Sequence, residues 1–206
     1  MRTKVFLSIF IALSLFGCKS PTDSVQSTQL FSLQKAWIYS TQTFDLNGTV
    51  GAPSIDSVYI DSTMIHNGKT NYFLSNNNVI IVDSTGLMTG YDLTGCLCET
   101  FQIPGITGDT ILRRDSIPTK VNGKVAFGTI IIFVKNADTS ITVPAGTFMC
   151  EAYEIQILAN NILTGSSALS YISPTVGLVE SDSYTTDTTT GKVFLTSREQ
   201  LIRTIK

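Results

Sequence analysis

The residues with the most chemical potential are few. Four cysteines and one histidine stand in 206 residues. Cys18 lies near the N-terminus, leaving Cys96, Cys98 and Cys150 further on, an odd number that allows at most one internal disulfide. Cys96 and Cys98 fall at i and i+2 on one side of any strand, where an extended backbone holds their Cα atoms near the upper limit for bridging. A link from Cys98, or from Cys96, to Cys150 is the better-shaped alternative to three buried thiols packing as small hydrophobes. A zinc site is not expected, because no second cysteine pair or neighbouring histidine completes four ligands. His66 sits beside Asn67-Gly68, where a solvated turn residue is the expectation. No Gly-x-Ser-x-Gly elbow, metal-binding histidine pair or Gly-Lys-Ser/Thr phosphate loop accompanies it. Among the 16 acidic residues, Glu180 and Asp182 share a strand face, while Glu151 and Glu154 fall on opposite faces. Solvated charges that guard a sheet edge are the expectation for them. The residues therefore predict no catalytic site, no cofactor and no metal.

Cys18 has a different context. Arg2 and Lys4 precede an apolar run, Val5 to Phe16, broken only by Ser8 and Ser14. About 12 helical residues span about 18 Å, against a bilayer core of about 30 Å, so a cleaved signal fits better than a permanent span. Leu15-Phe16-Gly17-Cys18 resembles the lipobox of bacterial lipoproteins, in which a small residue precedes the cysteine that receives diacylglycerol. Phe16 departs from the small residue usual at its place. The resemblance implies lipid attachment (palmitate among the acyl chains) at Cys18 and anchoring of the mature chain to a membrane. Lys19 and Ser20 lack the aspartate that commonly retains lipoproteins in the inner membrane, which implies an outer-membrane destination.

The elements that would position any site read as strands. The expected organisation is a signal over 1–17, a Ser/Thr/Gln-rich tether over 18–32 and one β-rich domain over 33–206. A formal charge of −2, with Arg2 and Lys4 in the signal, excludes the basic footprint of a nucleic-acid binder. Strand-like runs occupy Lys35–Asp45, Ser54–His66, Thr70–Ser75 and Val79–Asp83, then the neighbourhoods of Gly90 and of Cys96 to Phe101. Others follow at Val125–Val134, Met149–Leu158, Val176–Thr185 and Lys192–Ile205. Asn67-Gly68 suits the positive φ angles of a tight hairpin. Val125–Val134 is apolar on both faces, which predicts a central strand covered by a second layer. About ten strands with short connections predict an all-β fold: one curved antiparallel sheet forming a partly open barrel or half-barrel, with a β-sandwich as the alternative.

Two segments carry a further resemblance. Val143-Pro144-Ala145-Gly146-Thr147-Phe148 and Tyr171-Ile172-Ser173-Pro174-Thr175-Val176-Gly177-Leu178-Val179 are similar to the V-P-A-G-T-F and Y-x-[AS]-P-x-V-G-L-V patterns of a group of exported bacterial proteins of largely unknown function, including the TapB-like proteins. Lys35-Ala36-Trp37-Ile38-Tyr39 looks like the W-x-Y strand that opens such domains. The resemblance implies a curved antiparallel sheet and brings no established activity. Pro144, Gly146, Pro174 and Gly177 read as turn-forming residues. Three functions follow as expectations, in this order: an envelope lipoprotein whose sheet binds a lipid or other apolar ligand; a structural or protein-interaction module of the envelope; and, last, a hydrolase.

Overall fold

The computed structural model describes residues 35–83, 85–91, 97–121, 124–159, 162–187 and 189–205. The expected signal, the expected tether and the rest of what precedes Lys35, with Cys18 and Cys96, lie outside the described residues. Twelve strands form a single antiparallel sheet: β1 (Ala36–Thr43), β2 (Ser54–His66), β3 (Lys69–Leu74), β4 (Val79–Val82), β5 (Leu87–Tyr91), β6 (Leu97–Gln102), β7 (Thr110–Val121), β8 (Lys124–Val143), β9 (Gly146–Ala159), β10 (Ile162–Ser173), β11 (Gly177–Thr186) and β12 (Val193–Ile205). Sequence neighbours pair except for β6 and β7, and β1 also pairs with β12 from Ala36↔Ile205 to Thr43↔Ser197. The order β6-β5-β4-β3-β2-β1-β12-β11-β10-β9-β8-β7 therefore leaves β6 and β7 as the two edges. The sheet is a nearly closed barrel with one unsealed seam between them, and no helix occurs among the described residues.

This is the expected all-β single sheet, with twelve strands rather than ten, and not a sandwich. The two extra strands are β7 and β10, whose Arg113-Arg114, Pro118 and run of Gly and Ser obscure any hydrophobic alternation. A second expectation is corrected. The run Val125–Val134 lies in β8, next to the edge strand β7, and among the described residues no second layer covers it: Ile132 and Val134 are buried while Phe127 is 68% exposed. On its outward face Phe127 is part of the surface, and Ile131 and Phe133 are half-buried.

Period-2 alternation supplies one continuous inner face. Trp37 and Tyr39, Ile60, Tyr72 and Leu74, Val82, Met88, Phe101, Ile132 and Val134, Tyr153, Ile172, Val179 and Leu201 are all buried in one cluster. Phe101 of β6 meets Tyr153 of β9 edge to face, ring centroids 4.9 Å apart. This contact joins side chains from the two sides of the seam. Large aromatics occupy the volume that strand closure would otherwise leave open, so this part of the interior is packed.

Candidate functional site

A meander places alternate connections at opposite ends. The chain enters at Lys35 on the same end as the β2–β3, β4–β5, β8–β9 and β10–β11 turns and the segment 103–109 that crosses the seam. Asn67 and Gly68 form the β2–β3 turn with φ of 50° and 73°. His66 is exposed there, its Nε2 3.1 Å from Asn67 Nδ2.

Pro144 and Ala145 connect Val143 to Gly146, which pair across the β8–β9 hairpin. Ala145 N donates to Leu201 O at 3.2 Å, docking the turn on β12. Pro174 follows the last residue of β10, and Gly177 opens β11 with φ of 89°. Trp37 Nε1 donates to Val176 O at 2.6 Å, Tyr39 Oη to Leu178 O at 3.2 Å and Lys35 Nζ to Thr175 O at 3.4 Å. The opening Trp-x-Tyr segment and the Pro174–Leu178 segment are thus brought together across about 140 residues of chain.

One polar arrangement fastens the seam. Tyr153 Oη lies 2.5 Å from both Gln102 O and Glu151 Oε2. Gly105 N donates to Glu151 Oε2 at 2.9 Å. Gly108 N donates to Val134 O, Val134 N to Asp109 O, and Ala137 N to Thr107 Oγ1. Each backbone bond leaves one less orphan group in a connection that has no strand partner. Burial pushes the Glu151 carboxyl above its ordinary range, against the lowering pull of Tyr153 and Gly105. Burial likewise raises the Tyr153 phenol, with Glu151 adding to the effect. A single hydroxyl proton cannot satisfy two acceptors. The arrangement is fully bonded when Glu151 carries a proton that it donates to Tyr153 Oη, while Tyr153 donates to Gln102 O. Gly105 is required by close approach: a Cβ there would lie 2.9 Å from both Glu151 Oε2 and Val134 Cγ2.

The outer face holds a second polar set. Arg198 grips Asp182 through Nε and Nη2, each at 2.7 Å, and Gln200 donates to Glu180 at 2.7 Å. Tyr184 Oη donates to Asp182 Oδ2 at 3.0 Å. Glu180 and Asp182 are therefore not solvated edge charges. Asp182 is 2% exposed on an interior strand, with cross-strand partners that supply its compensation. The signal for this was present, because Arg198-x-Gln200 has the same i, i+2 spacing as Glu180-x-Asp182. Pairing β11 with β12 was the missing fact. Nearby, Lys135 stands in an irregularity of β8 and reaches Glu154 at 2.9 Å. Lys135, Glu154, Ser167, Ala168, Leu169 and Tyr184 line a shallow depression of about 200 Å³. This is below the roughly 300–1,000 Å³ of most small-molecule sites.

Cys150 is a buried free thiol, pushed up to about 11 by burial and then by Glu180. The side chain of Cys98, like Cys96, lies outside what is described. Among the described residues no three His, Cys, Asp or Glu gather as metal ligands.

Fold and site together define a class: an up-and-down antiparallel barrel whose buried polar groups fasten strands, turns and seam. Similar solved structures include a candidate exported protein with a YmcC-like fold from Bacteroides fragilis NCTC 9343, at 14% identity and a TM-score of 0.43, covering 85% of this chain and 97% of that one. A candidate lipoprotein from Parabacteroides distasonis ATCC 8503 shows 17% identity and a TM-score of 0.39, covering 86% and 99%. The hypothetical lipoprotein YmcC from Escherichia coli K12 shows 8% identity and a TM-score of 0.38, covering 88% and 90%. No protein-family model and no curated protein matches the sequence.

Proposed function

We propose that the chain is an envelope lipoprotein, anchored through Cys18 in the outer membrane, whose barrel serves as a non-catalytic structural or protein-interaction module. The observation that carries the non-catalytic part is the use made of the buried polar groups. Glu151 and Tyr153 bind the seam connection, and Asp182 and Glu180 bind Arg198 and Gln200, so each is held by a structural partner. The packed aromatic interior favours this reading over a lipid-filled barrel. The anchor rests on the residues before Cys18: a basic start, a short apolar run and Gly17.

Mass spectrometry of the mature protein from membranes tests the anchor. Acylated Cys18 at the new N-terminus is expected, and Cys18→Ser should move the chain to the soluble fraction. Finding Cys18 unmodified in the mature chain overturns the anchor. Photo-crosslinking in intact cells tests the module. One dominant envelope protein should be captured from the barrel surface, whereas a monomer that retains lipid through native mass spectrometry would replace this reading with apolar-ligand binding.

A further inference from the structure

We infer that the end of the barrel where the chain enters is a membrane-contacting rim, with the β2–β3 hairpin tip as its inserting element; this rests on the Cys18 anchor proposed above. At the tip, every residue from Asp61 to His66 is exposed, so both faces of β2 project beyond the barrel body. β1 explains why, since its pairing with β2 stops at Ala36↔Tyr59 and offers nothing alongside the last turn of the hairpin. At that tip stand Met64, 49% exposed, and Ile65, 77% exposed.

Neither residue packs in the core, and adjacent residues on a strand point to opposite faces. A tip that carries one apolar side chain on each face, Met64 and Ile65, suits immersion of its end better than docking against one flat surface. Ile106 in the seam connection, Met149 beside the β8–β9 turn and Ile205 at the end of β12 are exposed at the same end. His66, Lys69, Lys35 and Arg203 are interspersed among them, and Asp61, Asp83, Asp109 and Asp138 also lie toward this end. Long cationic stems at an interface keep their charged heads in water while their methylenes lie against apolar groups. Exposed apolar residues also occur at the far end, at Leu46, Val50, Ile55, Phe127 and Val193. What separates the ends is the chain itself. Sixteen residues lie between Cys18 and Lys35, and they join the barrel at the Met64–Ile65 end. An acylated Cys18 holds that end within a tether's length of lipid.

The occupant is therefore the acyl–headgroup boundary of the bilayer that carries the anchor. The test uses the full acylated protein, purified from membranes and reconstituted into phosphatidylethanolamine/phosphatidylglycerol vesicles with brominated acyl chains. Ile65→Trp and Phe127→Trp are compared. Both positions are exposed, and the native Trp37, buried in the barrel, contributes a constant background. The Ile65→Trp emission should shift to the blue and lose most of its added intensity to bromine quenching, while the Phe127→Trp emission stays unchanged. Equal emission from both variants in protein that floats with the vesicles and carries acyl mass on Cys18 overturns the rim and leaves the anchor standing. Quenching at position 65 in protein whose Cys18 is unmodified overturns the anchor and leaves the rim. Protein that neither floats nor is acylated overturns both.

Discussion

Glu151 shows how one side chain can set a pH dependence. Its folded-state pKa is raised, so the folded protein holds the proton more tightly than the unfolded chain. The resulting stabilisation is fully present below the ordinary carboxyl value and is lost as pH rises through the raised one. Glu151→Gln retains an uncharged group beside Tyr153 and Gly105. The variant should lose less stability than the parent between acid and neutral pH, measured by denaturant unfolding across that range. Glu199 is raised by burial and by Asp56, so that some slope persists in the variant. Arg198 acts in the opposite sense, by supplying charge to a carboxylate that is buried. Arg198→Met strands Asp182 and should cost about 3 kcal/mol in unfolding free energy. Cys150 is shielded and its thiol is held protonated, so iodoacetamide should label it only after unfolding and without added reductant. A requirement for reductant would instead reveal a disulfide to Cys98 or Cys96.

At the scale of elements, the two strands hardest to read are the informative ones. β7 carries Arg113, Arg114 and Pro118 because it is an edge: charges and a missing N–H discourage further pairing. β10, rich in Ser, lies between β9 and β11, where the small side chain of Ser170 stands opposite Tyr153 and Tyr171 stands opposite Glu180. The connection from β6 to β7 is the element on which closure depends. Gly105→Ala forces a methyl into contacts of 2.9 Å with Glu151 and Val134. The cost should be about 1–3 kcal/mol, read from thermal or denaturant unfolding, and Glu151→Ala in the same chain should recover part of it by removing one of the two contacts.

At the scale of the whole molecule, β1–β12 pairing closes the long circuit and the seam is left to side chains and one connection. Native-state hydrogen exchange should therefore be fastest at the outward-facing amides of β6 and β7 and slowest at β1, β11 and β12, where Tyr39, Val179 and Leu201 meet. Uniform protection across β6 and β7 would mean that the seam is closed in solution by something other than Glu151 and Tyr153.

The sequence by itself determined the all-β class, the hairpin at Asn67-Gly68 and the separation of Glu151 from Glu154 onto opposite faces. Those are properties of a two-residue period and of local turn chemistry. It also marked Cys18 by its flanks. It did not determine the burial along β9, where Met149 is exposed and Cys150 to Tyr153 are all buried. Only tertiary structure decided that β1 pairs with β12, that Asp182 and Glu180 are met by Arg198 and Gln200, that the Trp37-x-Tyr39 strand reaches the Pro174 turn, and that Glu151 and Tyr153 fasten the seam. Each of these joins residues distant in sequence or depends on a strand's place in the sheet. The same alternating run can lie centrally or beside an edge, as Val125–Val134 demonstrates, because alternation specifies a strand's faces and says nothing about its neighbours.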